Sequence, residues 1–290
     1  MTKDISTLVD DIYGVFDDPK VTEEQYLEFG QEVSAVMKEA LRVRDGPRTL
    51  RMSSIGQPCT RKLWYEINTP EAAEKLTGKD RFKFLIGHMI ESIVIFLAKA
   101  AGHKVEGQQD TQVIAGIEGH RDAVIDGRLV DVKSASPYSF EKFKRGELKK
   151  DDAFGYSDQI QSYLYAGQDD PVVEDKDKAS FLVVQKVTGE ICLDTHDKED
   201  VDFEKVYEYK KAIVAASEPP SRGFDPIPEG KSGNEKLPVV CSYCPFKQTC
   251  HPDARLFLYS NGPVWLTKVV KEPRVPEVID GQVVVKDSET

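Results

Sequence analysis

The sequence predicts an α/β protein in which helices flank a mixed central β-sheet. Helical segments alternate with short runs of alternating apolar residues along residues 81–218. The pair Asp126-Gly127 stands between two such runs, and an Asp-Gly pair in this setting is the strongest short-range signal for a β-hairpin. From these patterns we expect a helical extension at 1–45, a core at 46–253 and a tail at 254–290.

The first two predicted helices precede the sheet. In the acidic extension, the main helix begins at Thr22, with Gln25 three residues later as the partner in a capping box. The segment 81–102 is apolar almost all round, which predicts a helix buried in the core. Glu91 lies in its middle, where a carboxylate is unfavourable unless it is paired or binds a metal.

The predicted hairpin gathers charged side chains. Its turn folds Asp122 back toward Asp131, and Lys133 follows two residues later. Because strand residues two apart point to the same face, Asp131 and Lys133 project together, with Val130 and Val132 on the other face. Two carboxylates and an ammonium group on one face form a site for a hard divalent cation and a phosphate. The alternative is a surface hairpin whose charges are solvated.

The remaining elements complete the predicted core. A helix at 154–168 places Gln159 and Tyr163 on one face, since they are four residues apart. Further elements are expected in chain order, a strand at 180–187, a partner strand at 190–194, a helix at about 200–217 and a Pro- and Gly-rich linker at 217–233. Residues 262–290 are charged and predicted to be loosely held.

Four of the five cysteines are candidates for a metal site: Cys59, Cys241, Cys244 and Cys250. The last three form a C-x2-C-x5-C run, and no secretory signal or transmembrane segment is visible. We therefore expect an intracellular, cytoplasmic protein without membrane contact, in which clustered cysteines bind metal more often than they form disulfides. The spacing fits tetrahedral zinc, with His251 as a possible ligand, or a [4Fe–4S] cluster. Cys192 falls outside the pattern and is predicted to be a strand cysteine packed in the core.

The order of the motifs resembles the PD-(D/E)XK nuclease superfamily, specifically its RecB-like branch. That family's pattern is a helix with an acid or histidine, a GxxD strand, a (D/E)xK strand and a helix with QxxxY. The corresponding residues are Glu91, Gly119 to Asp122, Asp131 to Lys133, and Gln159 to Tyr163. Each motif alone is weak, whereas all four in order are specific. The resemblance covers about residues 50–252 and implies a restriction-endonuclease-like core.

The resemblance also implies a cofactor. One cysteine before the nuclease motifs and three after them are similar to the iron–sulphur staple of AddB-type helicase-nucleases and of CRISPR-associated and phage exonucleases. On this basis the four cysteines would hold a structural [4Fe–4S] cluster, with zinc as the fallback, and would close the core.

The family pattern further assigns roles to the site residues. It implies that Mg²⁺ or Mn²⁺ is held by Glu91, Asp122, Asp131 and the carbonyl of Val132. Lys133 would position the attacking water or neutralise charge on the phosphate, and Gln159 and Tyr163 would orient Lys133 and contact the substrate. Glu91 stands where the branch usually has histidine, so His88 is its fallback. We interpret His120 as structural rather than as a base.

The net charge of the chain limits the kinds of DNA that it could bind. The formal net charge is −11 and the sequence pI is about 5.1, unlike a tight duplex-binding domain. Basic runs at 44–62 and 138–150 are predicted to form a phosphate track, and a weakly bound single strand fits this balance best. No G-x-x-x-x-G-K-[ST] motif is present, so unwinding would need a helicase or recombination partner.

These observations predict a DNA exonuclease that degrades single strands in the 5′ to 3′ direction, the direction implied by the small CRISPR-associated and phage members. Two other classes stay open. One is a catalytically silent, cluster-stapled DNA-binding module of a recombination or repair complex. The other is a zinc-stabilised protein-interaction factor in which the motif matches are coincidental.

Overall fold

The computed structural model describes residues 3–42 and 48–285. Within these residues the helices are α1 (Leu8–Asp17), α2 (Glu23–Leu41), α3 (Thr60–Asn68), α4 (Gly78–Ala100), α5 (Pro137–Lys144), α6 (Tyr156–Ala166), α7 (Phe203–Ala215), α8 (Val239–Ser242) and α9 (Lys247–Cys250). The strands are β1 (Val105–Glu106), β2 (Thr111–Ile114), β3 (Ile117–His120), β4 (Ala123–Ile125), β5 (Arg128–Ala135), β6 (Lys178–Gln185), β7 (Ile191–Asp197), β8 (Ile227–Pro228), β9 (Glu235–Lys236), β10 (Arg255–Tyr259), β11 (Gly262–Lys268), β12 (Glu277–Ile279) and β13 (Gln282–Val284).

The chain divides into two compact units. The first, here the core unit, comprises residues 1–56 and 76–210, and the second unit comprises residues 57–75 and 211–290. This division differs from the predicted boundaries at 45 and 253. The first helix is not a separate extension, because Leu8 and Ile12 of α1 are fully buried in one cluster with Ile95 of α4.

The core unit contains a mixed five-stranded sheet in the order β1-β4-β5-β6-β7. The β4–β5 hairpin turns at Asp126 and Gly127, whose φ angles are 49° and 78°. Both values are positive, as a type I′ turn requires, and the predicted hairpin is therefore confirmed. β5 and β6 pair in parallel, which places Phe181 beside Asp131 and Val183 beside Lys133. The predicted mixed α/β architecture is also confirmed.

The two faces of this sheet are buried under different helices. Val130 and Val132 of β5 join a cluster that includes buried residues of α1 and α4. Leu129 and Ala135 face the opposite cluster, to which α5, α6 and α7 contribute. Asp131 alternates with Val130 and Val132 along β5 and shares the second face.

Helix α4 is only half buried, contrary to the predicted burial along its whole length. Val94, Ile95 and Ala98 in its C-terminal half are buried, whereas Phe82 and Phe84 near its start are 61% and 57% exposed. The apolar pattern therefore predicts burial correctly for the C-terminal half of α4 but not for its N-terminal half. In α2, by contrast, the predicted capping box at Thr22 and Gln25 is present and confirmed.

The second unit contains a six-stranded antiparallel sheet in the order β13-β12-β10-β11-β9-β8. Its strands include much of the segment that the sequence predicted to be loosely held, and Phe257 and Leu266 are buried within it. The sequence analysis gave more weight to the charged residues of this segment than to its short apolar runs, and it therefore missed these strands. Within the described residues, no helix has both the length and the apolar character needed to cross a membrane.

Candidate active site

The predicted acidic residues meet in the core unit at one region of the sheet. Asp131 is 6% exposed, and its Oδ2 lies 2.5 Å from Lys133 Nζ. Asp122 lies between β3 and β4, and its Oδ2 accepts a hydrogen bond of 2.7 Å from the Val132 N–H. Glu91 reaches the same region from α4, since its charge acts on both aspartates. The fold thus brings together Glu91, Asp122, Asp131 and Lys133.

The electrostatics of this cluster are unfavourable without a cation. Burial, followed by the charges of Asp131 and Glu91, raises the pKa of Asp122 well above its usual range. Burial likewise raises the pKa of Asp131, although Lys133 opposes the rise. Burial alone would lower the pKa of Lys133, but Asp131 and Asp122 outweigh it and raise that pKa. Lys133 is therefore held as a cation between two carboxyl groups.

Two aromatic rings also hold Lys133. Its Nζ lies 5.0 Å from the centroid of the Tyr156 ring and 5.9 Å from that of Phe181. The sequence reasoning missed Tyr156, although a signal was present. Tyr156 is three residues before Gln159 and seven before Tyr163, so the three share one face of α6.

Tyr163 and Gln159 have different surroundings. Tyr163 is 4% exposed, and burial, followed by the charges of Asp131 and Asp122, raises the pKa of its hydroxyl. That hydroxyl lies against the backbone of Gly119, where an added Cβ would approach it to 2.7 Å. Gly119 is therefore required by close packing. Gln159 is half-buried, and no described hydrogen bond joins its side chain to Lys133.

Around the cluster, neighbouring residues fix the acidic groups. Gln109, which the sequence reasoning missed, donates from Nε2 to Glu91 Oε1 at 2.8 Å. His88 is exposed, with Nδ1 3.8 Å from Glu91 Oε2. His120 contacts the Gln109 carbonyl at 3.2 Å through Nδ1, and its structural role stays a prediction.

The predicted phosphate track at 138–150 is neutralised by carboxylates. All five of its basic side chains form ion pairs: Lys142 with Asp151, Lys144 with Glu190, Arg145 with Glu141, Lys149 with Glu199 and Lys150 with Glu147. In the other basic run, Arg44 lies outside the described residues. Because its basic side chains are paired with carboxylates, this run offers little net charge to a phosphate backbone.

The four candidate cysteines lie in the second unit. Burial, followed by the neighbouring thiols of Cys59, Cys244 and Cys250, raises the pKa of Cys241 to about 12. His251 is buried, and burial lowers its pKa. In the core unit, Cys192 lies on β7 beside the hydrophobic cluster, as predicted, and burial raises its pKa to about 12.

Neither the acidic cluster of the core unit nor the four cysteines of the second unit have the geometry of a complete metal site. Across residues 3–42 and 48–285, no group of three or more His, Cys, Asp or Glu side chains is arranged to hold a metal ion as it stands. The donor chemistry nevertheless fits. Asp131 Oδ2 is buried without a hydrogen bond of regular geometry, and oxygen donors suit a hard divalent ion. Burial, together with neighbouring thiols, raises the pKa of Cys241 and of Cys244, and thiols placed this close to one another suit a thiophilic metal group.

Comparison with known proteins defines the class. The chain matches the PD-(D/E)XK nuclease superfamily over residues 10–251, and it belongs to that superfamily. No curated protein is similar to the chain at a significant level.

The solved structures to which the chain is similar are distant. One is the crystal structure of SSO0001, at 14% identity over 80% of this chain and 96% of that one, with a TM-score of 0.43. Another is a phage-related exonuclease from Haemophilus somnus 129PT, at 14% identity over 73% of this chain and 91% of that one, with a TM-score of 0.28. The RecB-like branch and the iron–sulphur staple stay predictions.

Proposed function

We propose that this protein is a metal-dependent DNA exonuclease that degrades single-stranded DNA in the 5′ to 3′ direction. The convergence of Asp122, Asp131, Glu91 and Lys133 in a member of a nuclease superfamily is the observation that carries the proposal. A set of carboxylates that repel one another in a buried site is stabilised by a divalent cation, which is also what phosphodiester hydrolysis needs.

In this proposal, Asp122, Asp131, Glu91 and the Val132 carbonyl hold Mg²⁺ or Mn²⁺. The bound ion would lower the pKa of a water molecule and polarise the scissile phosphate. The Val132 N–H bond to Asp122 Oδ2 fixes that carboxylate and leaves its other oxygen for the metal. Gln109 fixes Glu91 in the same way.

Lys133 acts in this scheme as a cation and not as a base. Its raised pKa keeps Nζ protonated at neutral pH, because two carboxylates surround it. A protonated Nζ can donate hydrogen bonds to a phosphate oxygen or hold the attacking water. Tyr156 and Phe181 restrict its position. We assign Tyr163 to support of the Asp122 and Asp131 region and Gln159 to contact with the substrate.

For the second unit, we infer that Cys59, Cys241, Cys244 and Cys250 hold a structural [4Fe–4S] cluster, with zinc as the other candidate. Support comes from the proximity of the four thiols and from their donor type. We also infer that a helicase or recombination protein supplies unwound strands.

The test is degradation of 5′- and 3′-labelled single- and double-stranded DNA with Mg²⁺, Mn²⁺ or EDTA. Lys133→Ala should lose activity by at least about 100-fold, in the range typical for an electrostatic group at a reacting phosphate. Lys178→Ala is the matched control, since Lys178 is an exposed lysine at the start of β6 that pairs with Asp197.

Each outcome separates the candidates. Metal-dependent cleavage that Lys133→Ala removes and Lys178→Ala retains supports the enzyme, and the label released first gives the polarity. A folded protein that binds DNA without cleaving it under any metal would overturn the enzyme and favour the cluster-stapled binding module.

A further inference from the structure

One face of helix α4 leads from solvent to Glu91 in the candidate active site. Residues three, four or seven apart lie on one face of a helix, so Arg81, Phe84 and Glu91 form a row. At 1.5 Å per residue, Phe84 lies about 10 Å and Arg81 about 15 Å before Glu91 along the helix axis. Arg81 and Phe84 are both exposed, whereas Glu91 is half-buried.

The contacts of α4 with β5 place this row beside the candidate site. The charge of Glu91 acts on Asp131, and four residues before Glu91 an added Cβ at Gly87 would lie 3.6 Å from Ser134 Oγ. Moving back along α4 therefore moves forward along β5, from Asp131 to Ser134. Because β5 ends one residue after Ser134, Phe84 lies where the strand no longer covers the face that carries Glu91.

The start of α4 is a more basic surface than the paired run described above. Its first two turns carry Lys79, Arg81 and Lys83 against a single carboxylate, that of Asp80. Asp80 is itself engaged, since it belongs to a capping box and lies 3.7 Å from Lys83 Nζ. Among the described residues, no carboxylate forms an ion pair with Lys79 or Arg81. In a chain of net charge −11, such a surface favours a polyanion.

Phe84 adds a planar apolar partner to these cations. Its side chain is 57% exposed, and within residues 3–42 and 48–285 it contacts no other aromatic ring. Cations for phosphates, together with an aromatic ring on which a base can stack, bind single strands without a need for a particular sequence. In a duplex, both faces of a base are covered by its neighbours. The combination therefore favours unpaired DNA.

We propose that Arg81 and Phe84 form a strand path, along which single-stranded DNA is guided to Glu91 and the candidate active site. Arg81 contacts a phosphate in this path, and Phe84 stacks on an unpaired base. The inference rests on the proposed nuclease function and assigns its substrate to one face of one helix. At 100° per residue, Phe84 lies only about 20° around the axis from Glu91, whereas Phe82 lies about 180° and Lys79 about 120° away. Phe82 and Lys79 are thus outside the strand path.

Binding of fluorescent single-stranded and duplex DNA in EDTA tests the strand path apart from cleavage. Phe84→Ala should weaken single-strand binding by about 5- to 30-fold, as expected for the loss of one stacked base, and Phe84→Trp should keep it. Phe82→Ala is the matched control and should bind as wild type does, because Phe82 is 61% exposed on the opposite face of the same helix. Duplex binding should hardly change in any variant. Equal melting temperatures would show that all variants fold.

The salt dependence of single-strand binding tests Arg81 against Lys79. Arg81→Ala should reduce the slope of log affinity against log salt concentration by about 0.7, the contribution of one phosphate contact in a single strand. Lys79→Ala removes the same charge from the same part of the helix. It should leave the slope close to that of wild type.

The outcomes separate the strand path from the nuclease. Equal losses in Phe84→Ala and Phe82→Ala, or equal slopes for Arg81→Ala and wild type, would overturn the path. A changed oligomeric state in Phe84→Ala with wild-type affinity for single strands would also overturn it, since the face would then join copies of the chain. Wild-type protein that shows the expected binding but cleaves no DNA with Mg²⁺ or Mn²⁺ would support the path and overturn the nuclease proposal.

Discussion

At the scale of single residues, the candidate site is under electrostatic stress. Asp122 is buried beside Asp131 and Glu91, and its pKa is raised for that reason. Lys133 offsets part of the repulsion through its ion pair with Asp131. Such a site is stabilised further by a divalent ion and is destabilising without one, as active sites often are.

Asp122→Asn should therefore stabilise the metal-free protein while it removes activity. The amide oxygen can still accept the Val132 N–H, but the buried negative charge is gone. In EDTA we expect the free energy of unfolding to rise by about 1–2 kcal/mol. Denaturant unfolding with and without Mg²⁺ measures this. Added Mg²⁺ should stabilise wild type and not the variant, and a variant less stable than wild type in EDTA would contradict the expectation.

Arg121, within the GxxD motif, has a purely structural setting. It is 2% exposed, and its guanidinium donates to Asp170 at 2.6 Å, to Asp110 at 2.7 Å and to the Gly107 carbonyl at 2.9 Å. These bonds hold the residue that precedes Asp122. A buried guanidinium with several partners is strongly dependent on each of them.

Asp170→Asn should destabilise the protein in a pH-dependent way. Burial acts to raise the pKa of Asp170, but the Val172 amide and Arg121 outweigh it and hold that pKa below the usual 3.8. A lowered native pKa contributes stability above the unfolded value, which is lost as pH falls through the native value. We expect a loss of about 1–2 kcal/mol at pH 7.

The free energy of unfolding of wild type and of Asp170→Asn, measured from pH 7 down to below pH 3.8, tests the direction of this pH dependence. The difference between the two proteins should shrink below the unfolded pKa of 3.8. Asp177→Asn is the control, since Asp177 is an exposed aspartate in the same segment. A difference that persists in acid would assign the effect to packing instead of charge.

Much of the site's composition was predictable from the sequence, because it depends on local geometry. The two-residue period of a strand places Asp131 with Lys133, and the Asp126-Gly127 turn brings Asp122 back. Spacing places Tyr156 on the face of α6 that carries Gln159 and Tyr163, but it does not reveal the contact with Lys133, because that contact joins a helix to a strand across the fold. The expected contact of Gln159 with Lys133 is absent among the described hydrogen bonds. It too would join a helix to a strand, and the spacing of residues in the sequence does not determine such a contact.

At the scale of elements, the start of α6 decides where Tyr156 lies. The close backbone contact of Gly56 with Gly155 fixes that start, and neither position has room for a Cβ. A helix start usually depends on a capping side chain, and here Asp152 supplies the hydrogen bonds from further upstream. The segment that contains Gly56, just before Cys59, therefore fixes the position of the start of α6.

Gly155→Ala should unfold or severely destabilise the core unit. A left-handed φ alone costs alanine about 1 kcal/mol, and the clash with the Gly56 backbone should raise the loss above about 3 kcal/mol. Gly146→Ala separates the two contributions, because Gly146 has a similar φ of +63° and nothing within 4 Å of an added Cβ. Free energies of unfolding measured for both variants give the contribution of close approach. Equal losses would contradict it.

The elements themselves were largely predictable, with failures where burial is decided by distant packing. The parallel pairing of β5 with β6 and the helices between them follow a βαβ-like pattern in the sequence. The exposed start of α4 was not predictable, because hydrophobicity does not reveal which part of a helix finds a partner. The strands after Cys250 were missed because they are short and separated by segments that contain charged residues and prolines.

At the scale of the whole molecule, the two units divide the proposed chemistry. The acidic site lies within the core unit, whereas the four clustered cysteines belong to the second unit. The chain enters the second unit at residue 57, leaves it at residue 75 and returns to it at residue 211. A metal group on these cysteines would therefore join stretches of chain that are far apart in sequence, which stabilises a fold by restricting its unfolded state.

Cys244→Ser should remove the proposed metal group of the second unit, whereas Cys192→Ser should not. Cys244 packs beside the aromatic cluster of Trp64, Tyr65 and Phe246, while Cys192 lies on β7 in the core unit. Anaerobic purification followed by iron, sulphide and zinc analysis measures the content. We expect a brown wild-type protein and Cys192→Ser variant, with a colourless and less stable Cys244→Ser variant. Full iron content in Cys244→Ser, or a brown colour lost in Cys192→Ser, would contradict the assignment.

The parallel pairing of β5 with β6 has a consequence for how the molecule comes to be active. Asp131 pairs with Phe181, and the chain between them contains the helices α5 and α6. The β4–β5 hairpin needs only a two-residue turn, so it can form sooner than the long crossover from β5 to β6 closes. Asp122 and Asp131 can therefore approach each other early, while the rings of Phe181 and Tyr156 reach Lys133 late. During refolding, the secondary structure should return before the first cleaved strand appears.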